Sequence, residues 1–349
     1  MKFLLYGSYG YTGQLIARFA QDFGLSPILA GRSLKKLEQQ AKATGYPFRV
    51  FDLNDQPALH AALKEVPLVL HAAGPFAHTA QPMMEACLAT GTHYLDITGE
   101  IAVFEMAASL DERAQKAKIM LMPGTGFDVV PTDCMAVYLK NKLPTATHLQ
   151  LAFAMQGGRT SHGTATTMAE NLGAAGAIRE AGQIIPVPVG HRAMTVPFYG
   201  KPRFVMSIPW GDVSTAFYST GIPNIETFTG ISPKLYKWMK WQGTINWLLQ
   251  TNLVRNIVKR QINKQPAGPT DKERAAAQSL VWGKTWDVEG REVEARLRCP
   301  EGYTLTAFSS LLIAQKALQG NAPIGFQTPA KAYGADLVME IEGVEREEV

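Results

Sequence analysis

Seven residues near the start of the chain, Gly7-Ser8-Tyr9-Gly10-Tyr11-Thr12-Gly13, have the spacing of a phosphate-binding turn. They follow the apolar run Phe3-Leu4-Leu5-Tyr6 and precede the helical pattern Gln14-Leu15-Ile16-Ala17-Arg18-Phe19-Ala20. Such a turn needs glycine where the chain leaves the strand, where backbone approaches a pyrophosphate, and where the helix packs on the strand. The free N–H groups of the helix start, reinforced by the helix dipole, then face the phosphates. The next apolar run ends Ile28-Leu29-Ala30-Gly31-Arg32-Ser33. No acid stands there to hold ribose hydroxyls, whereas Arg32 and Ser33, with Lys35 and Lys36 nearby, suit a 2′-phosphate. NADP is therefore expected over NAD, the alternative being a solvated arginine at a helix start. Two readings stay open for Asp52, which is followed by Leu53: it meets the adenine amino group, or it caps the helix after Asn54-Asp55. In His71-Ala72-Ala73-Gly74-Pro75-Phe76 the small residues let a cofactor cross the sheet edge, with Ala73 and Gly74 as its wall.

These turns need a scaffold, and the first 125 residues supply its pattern. Short apolar runs at 3–6, 27–30, 48–51, 68–70, 94–97 and 119–122 alternate with helical spacing at 13–23, 34–43, 56–63, 81–89 and 102–117. That alternation predicts an α/β fold, a Rossmann-type doubly wound parallel sheet. Ligands then sit beyond the carboxyl ends of the strands. After about residue 127 the pattern mixes. Strands are expected at 149–154, 204–208, 281–285 and 292–297, broken by Pro, Gly and helical stretches, which predicts a second, α+β domain. We place the cofactor domain at 1–126, completed by about 325–349, and a substrate and dimerisation domain at 127–324. The acidic end, Glu345-Arg346-Glu347-Glu348, reads as a solvated tail.

Composition removes several alternatives. The 349 residues include 46% apolar and 18% charged types, a folded composition. A net charge of +4 is too small a surplus to suggest nucleic-acid binding. Cys87, Cys134 and Cys299 form no CxxC pair, and the seven histidines lack paired ligand spacing, so no metal site is expected. Cysteine usage suits a cytoplasmic protein, and no apolar run reaches the ~18–20 residues of a membrane span or the length of a signal peptide.

Several of these segments carry a family likeness. Gly74-Pro75-Phe76, Glu85-Ala86-Cys87, Gly91-Thr92-His93-Tyr94-Leu95-Asp96-Ile97-Thr98-Gly99-Glu100 and Gly126-Phe127-Asp128-Val129-Val130-Pro131-Thr132-Asp133 resemble the saccharopine dehydrogenase-like NADP-dependent oxidoreductases. That family includes saccharopine reductases and trans-acting enoyl reductases. Gly163-Thr164, Gly302-Tyr303-x-Leu305-Thr306-Ala307 and Gly325-Phe326-Gln327-Thr328-Pro329-Ala330 continue the likeness. His71 departs from it, since the family often has Asn there. The resemblance implies hydride transfer to or from a C=N, C=O or C=C bond of a small-molecule or acyl substrate. It also implies a homodimer, and a last segment near 328–335 packed on the first domain. A catalytically silent NADP-binding scaffold or redox sensor would use the same fold.

Hydride transfer is carried by the cofactor, so the protein must supply orientation and a proton donor. Tyr94 is a donor candidate or a packed tyrosine. Asp96 and Asp128 fix the substrate or the ring amide, or they cap the helices that follow. His162 is a candidate from the second domain. Arg159, Arg179, Arg192 and Arg203 could form a carboxylate-binding cluster, while Trp210, Phe217, Tyr218 and Trp238 could line an apolar slot. The Tyr-x-x-x-Lys matches at Tyr138–Lys142 and Tyr236–Lys240 read as chance, because Tyr138 follows the wrong strand. Residues 227–270 contain no acid, and Lys234, Lys237, Lys240, Arg255, Lys259, Arg260 and Lys264 interleave with aromatics. That stretch, 234–264, reads as a structural helix, or as a contact for a membrane surface or an acidic carrier protein.

Overall fold

Strands buried on both faces read as continuous apolar runs, and those runs build the sheet of the first unit. In the computed structural model, which describes all residues except 171–172, 243–250, 252–257, 259, 263 and 265, this unit comprises Met1–Val130 and Tyr303–Ala332. Its strands are β1 (Lys2–Tyr6), β2 (Ser26–Gly31), β3 (Phe48–Val50), β4 (Leu68–His71), β5 (His93–Asp96) and β6 (Met120–Met122), joined by Gly325–Phe326. Their order is Gly325–Phe326, β6, β5, β4, β1, β2, β3, and every pairing is parallel. The order reverses at β1, where β2 lies on one side and β4 on the other, so the crevice at its carboxyl end is where such sheets bind ligands.

The helices that follow are α1 (Tyr11–Phe19), α2 (Leu34–Thr44), α3 (Gln56–Leu63), α4 (Phe76–Thr90), α5 (Ile101–Ser109) and α6 (Asp111–Ala117). Two depart from the sequence pattern. Helical spacing is expected from 81 to 89, yet α4 starts at Phe76 and carries Pro82 inside it. The single helix expected over 102–117 breaks at Leu110, where the backbone leaves helical geometry at φ −92°, ψ 3°.

The first unit ends differently from expectation too. A long helix, Gly302–Leu318, packs Phe308 edge-on against Phe19 of α1, with centroids 5.0 Å apart. Gln315 Nε2 donates to the Phe23 carbonyl at 2.8 Å. Residues 303–332 thus complete this unit, and 333–349 belong to the other.

The second unit, Pro131–Gly302 with Tyr333–Val349, is a mixed sheet with helices. Its strands are β7 (His148–Gln156), β8 (Gly176–Glu180), β9 (Gln183–Val187), β10 (Ala193–Val196), β11 (Arg203–Ser207), β12 (Asn224–Gly230), β13 (Gln278–Trp286) and β14 (Glu292–Pro300). The main path is β10, β11, β12, β7, β13, β14 and then Glu345–Glu348, with only β12 and β7 parallel. On one face Phe198, Val205, Phe228, Leu280 and Trp282 form a buried cluster. On the other, α7 (Val130–Lys142) lies close over Gly283.

The acidic end is not a free tail. Glu345–Glu348 forms an edge strand antiparallel to β14, so its backbone groups are paired. Glu345 meets Arg298, and the Glu348 carboxylate accepts from Tyr138 Oη and Lys142 Nζ, each at 2.9 Å. The Tyr138-x-x-x-Lys142 pair sits one helical turn apart on α7 and holds this strand, which leaves the motif no catalytic part.

A Cβ on Gly283 would stand 2.6 Å from Met135 Cγ and 2.8 Å from Leu139 Cδ1. Gly283→Val should therefore destabilise the protein by about 1–3 kcal/mol through overpacking. Thermal melting reads this directly, and an unchanged midpoint would contradict the packing of α7 on the sheet.

Candidate active site

The glycine turn is specified by its own backbone at two positions and is open at the third. Gly7 has φ +83°, and a Cβ there would lie 2.8 Å from Ala72 and Ala73. A Cβ on Gly13 would lie 2.4 Å from the Gly7 carbonyl oxygen, which is how closely α1 packs on the turn. At Gly10 the sole near atom is the Gly7 oxygen, at 3.2 Å. The space in front of Gly10 is thus open to a ligand. The N-terminus of α1 has no side-chain cap from Gly10 and no acid in its first turn, a helix start suited to an anion. Tyr9, Gly10, Tyr11 and Thr12 are all half-buried along this edge. Ser8 is not part of it. Its side chain is fully buried and donates to Gln40 Oε1 at 2.8 Å, while Gln40 Nε2 returns a bond to the Ser8 carbonyl at 2.8 Å. The expected cofactor contact through Ser8 is instead a brace from turn to α2.

Arg32 is exposed at the end of β2, with no ion pair among the described residues. Ser33 is the N-cap residue of α2 but makes no capping bond, and the first turn of α2 carries no acid. Lys36 Nζ lies 5.3 Å from the centre of the Tyr9 ring. A guanidinium, a free hydroxyl and an uncapped helix start of eleven residues converge by sequence position on one anion-sized place. Asp52 turns its Oδ1 to Asn54, accepting from the backbone N at 3.0 Å and from Nδ2 at 2.8 Å. The cap of α3 is Asp55, which accepts from Ala58 N at 3.1 Å, so the capping reading of Asp52 is corrected by three residues. Leu53 is buried beside it.

The turn after β4 is held from two sides. Glu100, at the N-cap of α5, sends its carboxylate to the start of α4, accepting from Phe76 N at 2.9 Å and Ala77 N at 2.8 Å. Thr79 Oγ1 donates to the Ala73 carbonyl at 2.8 Å. With that proton spent, Thr79 accepts from His71 Nε2 at 3.0 Å. Burial holds the His71 imidazole down at about 3, so the ring is neutral at physiological pH and serves the turn. Ala73, Gly74 and Pro75 remain accessible, while Phe76 is buried.

Beside this turn, Asp96 organises two loops from the interior. Its Oδ1 accepts from Thr98 N at 2.9 Å and Gly124 N at 2.8 Å, and its Oδ2 accepts from Tyr94 Oη at 2.6 Å. Its backbone carbonyl takes the N–H and the hydroxyl of Thr125, at 2.7 and 2.8 Å. Burial raises the carboxyl to about 7, against the pull of these donors. Asp96 and Tyr94 are both fully buried. A proton donor must meet substrate, and the Tyr94 hydroxyl is committed to Asp96. Neither residue caps a helix; together they fix where the chain goes after β5 and β6.

Asp128 is different. It is half-buried, and its carboxyl lies over Gly99, where a Cβ would come within 2.9 Å of Oδ2. It caps no helix and has no hydrogen-bond partner among the described residues. Burial, and the Glu100 charge after it, raise this carboxyl to about 7. The backbone that carries it is anchored by the helix Gly302–Leu318. Thr306 Oγ1 accepts from Phe127 N at 2.9 Å, and Ser309 Oγ donates to the Thr125 carbonyl at 2.7 Å. The sequence pattern gave no sign of this brace beyond Gly302-Tyr303-x-Leu305-Thr306 itself.

The remaining candidates lie in the second unit. His162 opens a helix, His162–Glu170, and its N–H donates to the Ala267 carbonyl at 2.9 Å. The four arginines do not form a free cluster. Arg159 pairs with Glu273 at 3.4 Å, Arg192 with Glu226 at 2.9 Å, and Arg203 with Gln156 at 2.9 Å. Arg179 is buried and donates to the carbonyls of Val213 and Gly182. Trp210 packs at a tilt against Phe153 and Phe217 lies under Arg179, but Trp238 is 62% exposed and lines no slot. Among the described residues no group of three His, Cys, Asp or Glu could hold a metal ion.

Residues 3–122 match the saccharopine dehydrogenase NADP binding domain. The saccharopine dehydrogenase-like oxidoreductase of Mus musculus is 29% identical over 160 residues, covering 40% of this chain and 37% of that protein. The lipid droplet localized protein of Caenorhabditis elegans is 26% identical over 330 residues, 80% of this chain and 77% of that one. Among solved structures, apo saccharopine dehydrogenase (L-Glu forming) from Saccharomyces cerevisiae superposes with a TM-score of 0.68 at 13% identity, over 100% of this chain and 99% of that chain. The last match concerns fold, and it extends over both units. The match to the mouse protein spans little more than a third of its length.

Tyr94→Phe tests the buried pair. It removes one donor from Asp96 and should cost about 1–3 kcal/mol of stability. The Asp96 carboxyl, at about 7, already lies above its unfolded value of about 3.9, so its contribution to stability declines as pH rises between them. Losing a donor that favours the ionised form moves the folded value higher, and the penalty should be greater at pH 8 than at pH 5. Equal penalties in denaturant unfolding at both pH values would contradict the assignment.

Proposed function

We propose that this saccharopine dehydrogenase-like chain is an NADP(H)-dependent oxidoreductase in which Asp128 moves the proton that accompanies hydride transfer. The observation that carries this reading is a half-buried carboxyl, raised to about 7, with no partner of its own, on the loop after β6. The pyrophosphate rests on the turn Gly7–Gly13 and the start of α1, where a side chain at Gly10 would intrude. Arg32 and Ser33 take the 2′-phosphate, and Asp52 offers its remaining oxygen toward the adenine. Ala73, Gly74 and Pro75 form one wall at the far end. NADPH supplies the hydride; every other requirement falls on the chain.

Reduction of a C=N, C=O or C=C bond takes up one hydride and one proton. Asp128 gives the proton to the atom that gains charge and is reloaded from solvent through its exposed side. A general acid works best with a value near the working pH, and burial beside Glu100 supplies that tuning. Glu100, tied to the start of α4, positions the turn and is not itself the donor. The substrate is expected to be poor in carboxylates, because Arg159, Arg179, Arg192 and Arg203 are each engaged elsewhere. A small carbonyl, imine or acyl substrate fits better than a tricarboxylate such as saccharopine.

Two measurements test this reading. Arg32→Ala should weaken NADPH by at least about tenfold, the worth of one charge-assisted bond, and leave NADH nearly unchanged. Equal loss for both cofactors contradicts the 2′-phosphate assignment. With a carbonyl, imine or enoyl panel, kcat/KM for reduction should fall as pH rises through about 7. Glu100→Gln should shift that midpoint downward by removing a like charge, and Asp128→Asn should remove turnover while NADPH still binds. Tight NADPH binding without turnover across the panel would instead identify a silent scaffold or redox sensor.

A further inference from the structure

The acid-free stretch 227–270 presents a face that the oxidoreductase reading does not use. Its first helix, α8 (Pro233–Gln242), carries apolar residues on more than one face. Tyr236 points inward. Its ring packs on Phe204 with centroids 5.4 Å apart, and its hydroxyl donates to the Gly190 carbonyl at 3.3 Å. Met239, next to it on the helix wheel, is half-buried. Helical geometry then turns residues 234, 235, 237 and 238 away from this contact. Leu235 is 47% exposed and Trp238 is 62% exposed, with Lys234 and Lys237 exposed beside them. None of these four makes an ion pair among the described residues. Arg260 and Lys264, further along the stretch, are exposed as well. Arg255 and Lys259 lie outside the described residues.

We infer that the outer face of α8 is a docking surface for an anionic lipid bilayer. Three features select that occupant. A tryptophan and a leucine one helical turn apart, held in water by a helix anchored through Tyr236, form a contact that would submerge only the shallow interfacial layer. Lysines flank them, so their ammonium groups would remain at headgroup level while their stems cover apolar area. The surrounding sequence has seven basic residues and no acid, so nothing local opposes approach to a negative surface, and each cation adds to the attraction. Among the described residues no helix is long and apolar enough to cross a membrane.

Sedimentation of the whole protein with vesicles tests this. The wild type should sediment with phosphatidylcholine vesicles containing about 30% phosphatidylserine and stay in solution with pure phosphatidylcholine, because the lysines provide the first attraction. Binding should be lost at high salt. Lys234→Glu with Lys237→Glu should weaken it at least about tenfold. Trp238→Ala should also weaken it severalfold, whereas Tyr138→Phe, remote in sequence and on another helix, should not. Melting temperature and NADPH affinity of the α8 variants, measured alongside, should be unchanged, which separates loss of the surface from loss of the fold. Failure of the wild type to bind anionic vesicles overturns the inference, including the case in which an acidic carrier protein binds in their place. So does full binding by either α8 variant, or binding that salt leaves untouched.

Discussion

A single buried carboxylate sets the geometry at the carboxyl end of the parallel sheet. Asp96 receives Tyr94 from its own strand, Thr98 from the loop after β5 and Gly124 from the loop after β6, and its carbonyl adds Thr125. Removing a charge from water is costly unless donors replace the lost solvation. Here three donors offset part of that cost, and in doing so they draw two loops to one point. Thr98, Gly99 and Glu100 follow from one, and Phe127 and Asp128 from the other. The residues we assign to chemistry are therefore placed by a residue that has no access to substrate.

The same division between bracing and exposed groups recurs around the site. Ser8 and Gln40 brace the glycine turn ahead of α1. Glu100 caps α4 from the start of α5, fixing Ala73 to Phe76. Thr306 and Ser309 hold the loop of Asp128. Each brace satisfies buried polar groups that would otherwise be costly, and each leaves a neighbouring group free. Glu100 has a second effect, since its charge, held close by the α4 N–H groups, adds to the burial that raises Asp128. Preorganised polar surroundings of this kind cost no rearrangement at the moment of reaction.

Much of the first unit was legible because parallel strands are continuous apolar runs and the turn glycines have steric reasons that a sequence can display. The strands β1 to β6 and the turn at Gly7–Gly13 fall where that pattern puts them. What escaped detection depends on tertiary pairing. Strands β8, β9, β10 and β12 are half-exposed or carry Pro and Gly, so their periodicity is weak until the sheet is assembled. Glu345–Glu348 reads as a solvated acidic tail because its strand character comes from the open edge of β14. Tyr94, Asp96 and Asp128 could be located but not ranked: whether a carboxylate is a brace or an acid depends on its partners. A hydroxyl at 2.6 Å marks Asp96 as a brace, and our proposal that Asp128 is the acid rests on a carboxyl over Gly99 with no such partner.

A crystal structure of the protein with NADPH tests the central claim most directly. The account predicts the 2′-phosphate against Arg32 and Ser33, the pyrophosphate over Gly10, and the nicotinamide between the turn at Ala73–Pro75 and the loop of Asp128. The Asp96 bonds to Tyr94, Thr98 and Gly124 should stay as they are. A 2′-phosphate away from Arg32, or a nicotinamide that sits apart from Asp128 with the Asp96 bonds broken, would contradict it.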